Sequence, residues 1–196
     1  MSREEAERWD RKYRDGGYPD RREPSPLVRE HAPALPRGPA LDLGCGLGRN
    51  ALYLAQLGYA VQGLDVSAVA IAQARRRSAD LGLSVDWQVT DLDDYAGPPE
   101  PCALILCCRL LVRPLLPRIA LWLRPGGVLL FEHHLDSPRE ALAGPRNPAH
   151  RLRPNELLGL LPGLRLLHCD EGLFPGAGRA PAALFRALAQ RPPHEF

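Results

Sequence analysis

The sequence predicts an α/β domain: five parallel strands covered by helices on both faces, followed by a terminal antiparallel hairpin. Three observations carry this. Short, continuously apolar runs, above all residues 102–107, are the mark of strands buried on both faces. Stretches of helical length and spacing separate these runs, as parallel connections require. The last two apolar runs, 164–169 and 183–189, lie too close together for a crossover helix and should pair antiparallel. A chain of 196 residues, 45% hydrophobic, can fill the core of one such domain.

Residues 1–36 form a polar, proline-rich preface. A helix over 4–14 places Trp9 and Tyr13, four apart, on one face; Gly16-Gly17 end it, and Pro19, Pro24 and Pro26 forbid its continuation. Leu27, Val28 and Leu35 start a second short helix. Residues 40–43 read as the first strand, running into Gly44-Cys45-Gly46-Leu47-Gly48. The spacing of Ala51, Leu52, Leu54 and Ala55 predicts a helix over 50–57 that stops at Gly58. A second strand over 59–64 ends at Asp65, and Ser67 caps a helix over 68–81 with Gly82 as its stop. Val85, Trp87 and Val89 alternate as a third strand that ends at Asp91. After the turn at Gly97-Pro98-Pro99 comes the fourth strand, 102–107. Pro114 or Pro117 opens a helix carrying Leu116, Ile119, Ala120 and Leu123, and Arg124-Pro125-Gly126-Gly127 turns into a fifth strand over 128–132. Residues 135–153, with Pro138, Gly144, Pro145 and Pro148, read as an irregular segment or a broken helix. A short helix over 155–161 precedes the hairpin.

Lys+Arg number 25 and Asp+Glu 23, a net charge of +2, which excludes strong steering toward nucleic acid or an anionic membrane. No apolar run approaches the roughly 20 residues that span a bilayer. The acidic, polar opening over 1–8 is unlike a secretory signal. The five cysteines, Cys45, Cys102, Cys107, Cys108 and Cys169, are odd in number and lie mostly in apolar runs, so reduced core thiols of a cytoplasmic protein are expected. No His/Cys ladder has zinc spacing, and no metal site is expected.

Chemistry concentrates where the first strand feeds a helix. A glycine loop there brings backbone N–H groups and a positive helix end close to a ligand. A dinucleotide fingerprint Gly-x-Gly-x-x-Gly started at Gly44 would put its third glycine at Arg49; started at Gly46, it would put it at Ala51, a permitted substitute, so that match is possible but imperfect. No Gly-Lys-Ser/Thr follows, which excludes a P-loop. Asp65, 19 residues beyond Gly46, ends the next strand where a carboxylate can accept both hydroxyls of a ribose. Asp91 ends the strand after that and suits an adenine amino group. Asp42 precedes the loop, where it would repel a pyrophosphate but attract an ammonium.

This constellation resembles the class I S-adenosylmethionine-dependent methyltransferases. The resemblance covers about residues 38–191 and implies their Rossmann-like seven-stranded sheet, order 3-2-1-4-5-7-6 with an antiparallel strand 7. It also implies S-adenosyl-L-methionine as donor and S-adenosyl-L-homocysteine as product. Carried over residue by residue, Asp42, Gly44, Cys45, Gly46, Gly48, Arg49 and Asn50 belong to the methionine-side loop. Asp65 with Val66 takes the ribose, Asp91 with Leu92 the adenine, and the strand end at Cys107 faces the methionine moiety. The run from Leu43 to Ala55, with Gly58-Tyr59 and the opening Trp9-Asp10-x-x-Tyr13, is most similar to the tellurite-resistance TehB-like branch. His168-Cys169 and Arg179 stand where better-known members of that branch carry a His-Arg pair.

An acceptor would bind beyond the strand ends, at Cys107-Cys108-Arg109 and Glu132-His133-His134. No Asn/Asp-Pro-Pro-Tyr/Phe motif of base amino-methyltransferases follows the fourth strand, and no Pro-Cys nucleophile of the cytosine C5 enzymes is present. Arg109 reads either as an anion-recognising guanidinium or as a salt-bridge partner of Glu132. His133 and His134 point to opposite faces of a strand, so at most one serves as a general base; each can equally be structural. Cys107 and Cys108 also face apart, and core packing competes with a metalloid-binding role.

The expectation is a lid segment over 1–36 on a single domain over 37–196, with 135–153 completing the lid. The expected activity is methyl transfer to a small-molecule nucleophile: a thiol, a chalcogen oxyanion or a small anionic metabolite. The alternatives are a nucleotide- or protein-directed methyltransferase and a non-catalytic S-adenosylmethionine-binding regulator. A small-molecule substrate without nucleic-acid or membrane partners, and a monomer or weak homodimer, complete the expectation.

Overall fold

The computed structural model describes residues 3–139, 142–176 and 179–193. Helix α1 (Arg3–Arg14) and the short α2 (Pro26–His31), capped by Ser25 and continued by a 3₁₀ turn over Ala32–Ala34, make up the preface. Strand β1 (Pro39–Leu43) leads into α3 (Arg49–Gln56), β2 (Ala60–Asp65) into α4 (Ala68–Asp80), and β3 (Asp86–Val89) follows. Next come β4 (Cys102–Cys108), α5 (Ile119–Trp122), β5 (Leu123–His134), α6 (Glu156–Leu160), β6 (Arg165–Gly176) and β7 (Arg179–Gln190). The seven strands form one sheet in the order β3-β2-β1-β4-β5-β7-β6; β7 runs antiparallel to both β5 and β6, and the remaining pairs are parallel. The architecture read from the sequence is therefore the one observed.

The core lies on both faces of the sheet. One layer joins Leu41, Ile105, Leu129 and Phe131 to Leu116, Ile119 and Trp122; the other joins Leu104, Leu106 and Leu130 to Leu27, Leu54 and Ile71. All seven residues of β4 are buried, because this central strand has covered layers on both sides.

Three elements differ from expectation for identifiable reasons. The helix expected through Leu123 is a 3₁₀ turn over Arg113–Arg118 followed by a four-residue α5, and Leu123 opens β5 opposite Cys102. Pro117 removes a helical donor in mid-segment and prevents a longer helix. In β3 only Trp87 is buried and Val89 is exposed, since β3 is an edge strand four residues long. The hairpin is about twice as long as its apolar runs suggest. Its polar stretch Asp170-Glu171-Gly172 and Pro175 belong to β6, and an edge strand tolerates both.

Candidate active site

The loop after β1 folds back on β2: the Cys45 N–H donates to the Leu64 carbonyl at 2.9 Å, and the Gly48 N–H donates to the Cys45 carbonyl at 2.9 Å. Gly46 (φ 54°) and Gly48 (φ 82°, the N-cap of α3) lie in the left-handed region. A β-carbon at Gly46 would stand 2.7 Å from the Tyr13 hydroxyl, and one at Gly48 would run into the Trp87 ring. Only glycine lets the loop pass between these groups.

Two carboxylates lie behind the loop. Asp42 is 1% exposed, and its Oδ2 has no hydrogen-bond partner among the described residues. Burial pushes its carboxyl up to about 7, against the opposing pull of the Arg49 guanidinium and the Ala51 N–H. Asp65 accepts the Gly46 N–H on Oδ2 at 2.8 Å and the Ser67 N–H on Oδ1 at 2.9 Å. Burial raises its carboxyl as well, and those N–H groups counter it. Val66 beside it is half-buried. Asp91 is half-buried and accepts the Asp93 N–H at 2.9 Å, whereas Leu92 is buried in the layer that holds Trp122.

Helix α1 docks across this end of the sheet. Asp10 accepts the Ser67 hydroxyl at 2.6 Å and the Val69 N–H at 3.1 Å, at the first turn of α4. Tyr13 packs against Trp9 and Tyr18, with ring centroids 5.9 and 5.1 Å away. A narrow cleft of about 40 Å³, open to solvent, lies between this segment and the strand ends. Tyr13, Tyr18, Pro19 and Arg21 form one wall; the loop with Arg49 and Asn50 forms the second, and Cys108 with Arg109 the third. Nothing in the sequence marks Tyr18, Pro19 and Arg21 as lining, because they sit in a stretch without periodicity or motif. Only the Tyr-Pro pair, stiff and aromatic, hints at a docked turn.

The structure thus joins Gly44, Cys45, Gly46, Arg49, Asn50 and Arg109 in one cleft. Asp65 is tied to it through Gly46, while Asp91 and Leu92, past the end of β3, are not among the residues that line it. Cys107 and Cys108 are buried on opposite faces, in the two different core layers. The Cys107 thiol donates to the Leu110 carbonyl at 3.6 Å, and burial raises both thiols far above their ordinary value.

Neither histidine lines the cleft. His133 is buried with Nε2 3.0 Å from the His150 carbonyl, and burial, reinforced by Arg109 and Arg113, lowers its pKa to about 4. His134 lies behind Arg109, which donates from Nη1 to His134 Nε2 at 2.8 Å; burial and this guanidinium lower its pKa to about 3. Both rings are neutral at pH 7. Arg109 donates from Nε to Glu132 Oε1 at 2.9 Å. Glu132 accepts a second guanidinium, Arg186, on Oε2 at 2.9 Å.

The residues fit S-adenosylmethionine. The orphaned buried oxygen of Asp42 calls for a cationic donor such as an amino-acid ammonium, and the glycines leave open the space that a β-carbon would fill. Among the described residues no group of three His, Cys, Asp or Glu side chains could hold a metal ion, and no helix is long and apolar enough to cross a membrane.

Comparison with known proteins agrees with this geometry. The family described as "Methyltransferase domain" matches residues 40–127, from β1 to the turn within β5. The ubiquinone biosynthesis O-methyltransferase of Thiobacillus denitrificans is 32% identical over 91 residues, 38% of this chain and 39% of that protein. The chain thus spans about two fifths of the length of this curated relative. A protein whose solved structure is described as "Conversion of a Disulfide Bond into a Thioacetal Group during Echinomycin Biosynthesis" superposes with a TM-score of 0.76. It is 26% identical, covering 97% of this chain and 94% of that one. TehB from Haemophilus influenzae superposes with a TM-score of 0.72 at 20% identity, covering 94% of this chain and 67% of that one.

In sheet order, glycine loop and the family match over residues 40–127, the chain is similar to the class I S-adenosylmethionine-dependent methyltransferases of the Rossmann-like superfamily. Within it TehB is one of several comparably close matches, so the branch expected from the loop sequence is narrower than the comparisons define.

Proposed function

We propose that this chain transfers a methyl group from S-adenosylmethionine to a small-molecule nucleophile: a thiol, a chalcogen oxyanion or a small anionic metabolite. The observation that carries the reading is Asp42, a buried carboxylate with one unpartnered oxygen behind a glycine loop. An ammonium on an amino-acid moiety satisfies that oxygen, whereas a pyrophosphate would be repelled. Asp65 keeps lone pairs for ribose hydroxyls beyond the two N–H groups it accepts. Asp91 and Leu92 serve the adenine, and the β4 end at Cys107 faces the methionine.

The bound donor supplies a methyl group already activated as a sulfonium. The protein's own residues then align the acceptor and exclude water, which a soft or already ionised nucleophile requires more than a base. Tyr13 of α1 and Tyr18 after it act as the lid over the cleft, whereas α2 packs into the core through Leu27 and Val28. The narrow cleft favours a small acceptor over a nucleotide or a protein surface. That a ubiquinone biosynthesis O-methyltransferase is among the relatives supports a small-molecule acceptor, and the TehB likeness supports the fold.

The test is calorimetry with S-adenosylhomocysteine, followed by turnover assays against thiols, selenite, tellurite and small carboxylates. Adenosyl-ligand binding is expected, with S-adenosylhomocysteine formed from S-adenosylmethionine on turnover. No adenosyl-ligand binding, or tight NAD binding instead, would sink the assignment. Donor binding without turnover on any acceptor would favour the non-catalytic regulator.

A further inference from the structure

The cluster at the ends of β4, β5 and β7 carries more positive than negative charge. Glu132 is fully buried and each of its oxygens accepts one guanidinium, Arg109 on Oε1 and Arg186 on Oε2, both at 2.9 Å. Among the described residues no other carboxylate lies within 4.0 Å of either guanidinium. Asp170, opposite Arg186 across the hairpin, turns outward to His168 at 3.0 Å. His134 accepts from Arg109 as a neutral ring and brings no charge. One carboxylate and two guanidiniums leave a surplus of one positive charge, on side chains only 19% (Arg109) and 14% (Arg186) exposed. A partly buried net charge is costly unless something neutralises it.

The surplus opens in one direction. Arg186 lays its guanidinium on the Phe174 ring, 3.7 Å from the centroid, and does not reach the cleft. Arg109 lines the cleft, with Nε committed to Glu132 and Nη1 to His134, and among the described residues Nη2 has no hydrogen-bond partner. The backbone is bent to hold it there. Arg109 stands at φ 65°, a left-handed conformation that costs an L-residue about 1–2 kcal/mol, and its N–H donates to the Glu132 carbonyl at 2.7 Å. Such strain persists where the surroundings over-determine it, commonly at ligand sites. Among the described residues the other charged groups on the cleft are Arg21 and Arg49, and no carboxylate lines it.

We propose that Arg109 is the anion-recognising residue of the acceptor site, and that the acceptor carries a carboxylate-like oxyanion close to its nucleophilic atom. The inference rests on the methyltransferase reading and narrows its substrate class. Glu132 is then a positioning residue, orienting Arg109 so that Nη2 is left to serve the cleft, where a carboxylate can accept a charge-assisted bond from it.

The experiment uses the full chain saturated with S-adenosylhomocysteine and titrates two matched thiols, 3-mercaptopropionate and 3-mercapto-1-propanol. The carboxylate is expected to bind about 10- to 150-fold more tightly, the value of one charge-assisted contact, with the difference shrinking as salt is added. Arg109→Gln should abolish that discrimination while the affinity for S-adenosylhomocysteine stays within about twofold. Arg109→Lys, which keeps the charge but loses the fork, should fall between the two. The wild-type comparison needs no variant, so the test survives even if Arg109→Gln fails to fold. Equal affinity for the two thiols, no binding of either, or an Arg109→Gln loss that falls on S-adenosylhomocysteine would each overturn the proposal. Failure of the wild type to bind S-adenosylhomocysteine at all would instead strike the methyltransferase reading itself.

Discussion

Asp10 and Ser67, 57 residues apart, share a hydrogen bond of 2.6 Å that fastens the N-terminal helix to the first turn of α4. Ser67 in turn accepts the Ala70 N–H, and Asp10 accepts the Val69 N–H, so the cap of α4 is built from two segments. Asp10→Ala removes half of it, a loss of about 0.5–2 kcal/mol. The melting temperature should fall by about 2–4 °C per kcal/mol lost, and amide exchange over residues 4–14 should accelerate. Bound S-adenosylhomocysteine should restore part of that protection. Hydrogen exchange of wild type and variant, with and without ligand, measures this; unchanged exchange would show that α1 is held by its aromatic residues alone.

Gly46 sits under the Tyr13 hydroxyl, so Gly46→Val meets two obstacles. Its backbone has φ 54°, strained for valine, and its β-carbon would stand 2.7 Å from Tyr13 Oη. The variant should keep its sheet, since the loop lies outside the strands, and lose adenosyl-ligand affinity by more than about 100-fold, or about 2.7 kcal/mol. Combining it with Tyr13→Ala separates the causes. If the loop itself cradles the ligand, the double variant stays defective; recovery of affinity would trace the defect to the displaced tyrosine. Calorimetry with circular dichroism as a folding control reads both.

Where the sequence could be read and where it could not follow from range. The all-apolar run of β4 and the glycines before α3 are local signals, and both sit where they were expected. The strand order came from the resemblance carried by the loop and its acids, not from periodicity. The prolines at 114 and 117 are plain in the sequence, but local spacing does not show that they reduce a full helix to a 3₁₀ turn and four residues. Contacts between distant segments were largely illegible. Arg186 reaches Glu132 across 54 positions, and neither residue belongs to a motif. Of the preface, α1 and its facing Trp9 and Tyr13 were legible from helical spacing. The cleft wall of Tyr18, Pro19 and Arg21 was not, because irregular chain carries no period to read.

Asp42 should make ligand binding pH-dependent. Its folded carboxyl titrates near 7, above an ordinary value of 3.8, so the folded protein holds a proton that the unfolded chain has already lost. Its contribution therefore favours folding least at high pH: stability falls as pH rises from about 4 to about 7, and Asp42→Asn should remove that slope. Ligand binding runs the other way. An ammonium favours the ionised carboxylate, so S-adenosylhomocysteine should release a proton below pH 7. Its affinity should rise by at most about tenfold per pH unit up to 7 and then level. Calorimetry in buffers of different ionisation enthalpy measures the proton release, and a pH-independent affinity between 5 and 7 would separate Asp42 from the ligand's ammonium.

His133 and His134 should tilt stability in the opposite sense while contributing no titration to catalysis. Burial lowers them to about 4 and about 3 from an ordinary 6.5, with the Arg109 guanidinium adding to the shift of each. Below about pH 6.5 the unfolded chain takes up protons that the folded rings refuse. Their contribution is complete above 6.5 and is lost progressively as pH falls toward 4 and then 3. Over pH 4 to 6.5 this slope opposes that of Asp42, so the histidines are best measured in an Asp42→Asn background. There, His133→Gln and His134→Gln should each flatten the acid-side decline in melting temperature. Catalysis gives the second readout. Rings that stay neutral from pH 5 to 8 cannot produce a limb near 6.5 in kcat/KM, so His134→Gln should leave the shape of that profile unchanged while altering its height through Arg109. A wild-type limb near 6.5 that vanishes in His134→Gln would instead mean that His134 leaves the arginine, titrates normally and serves as the general base.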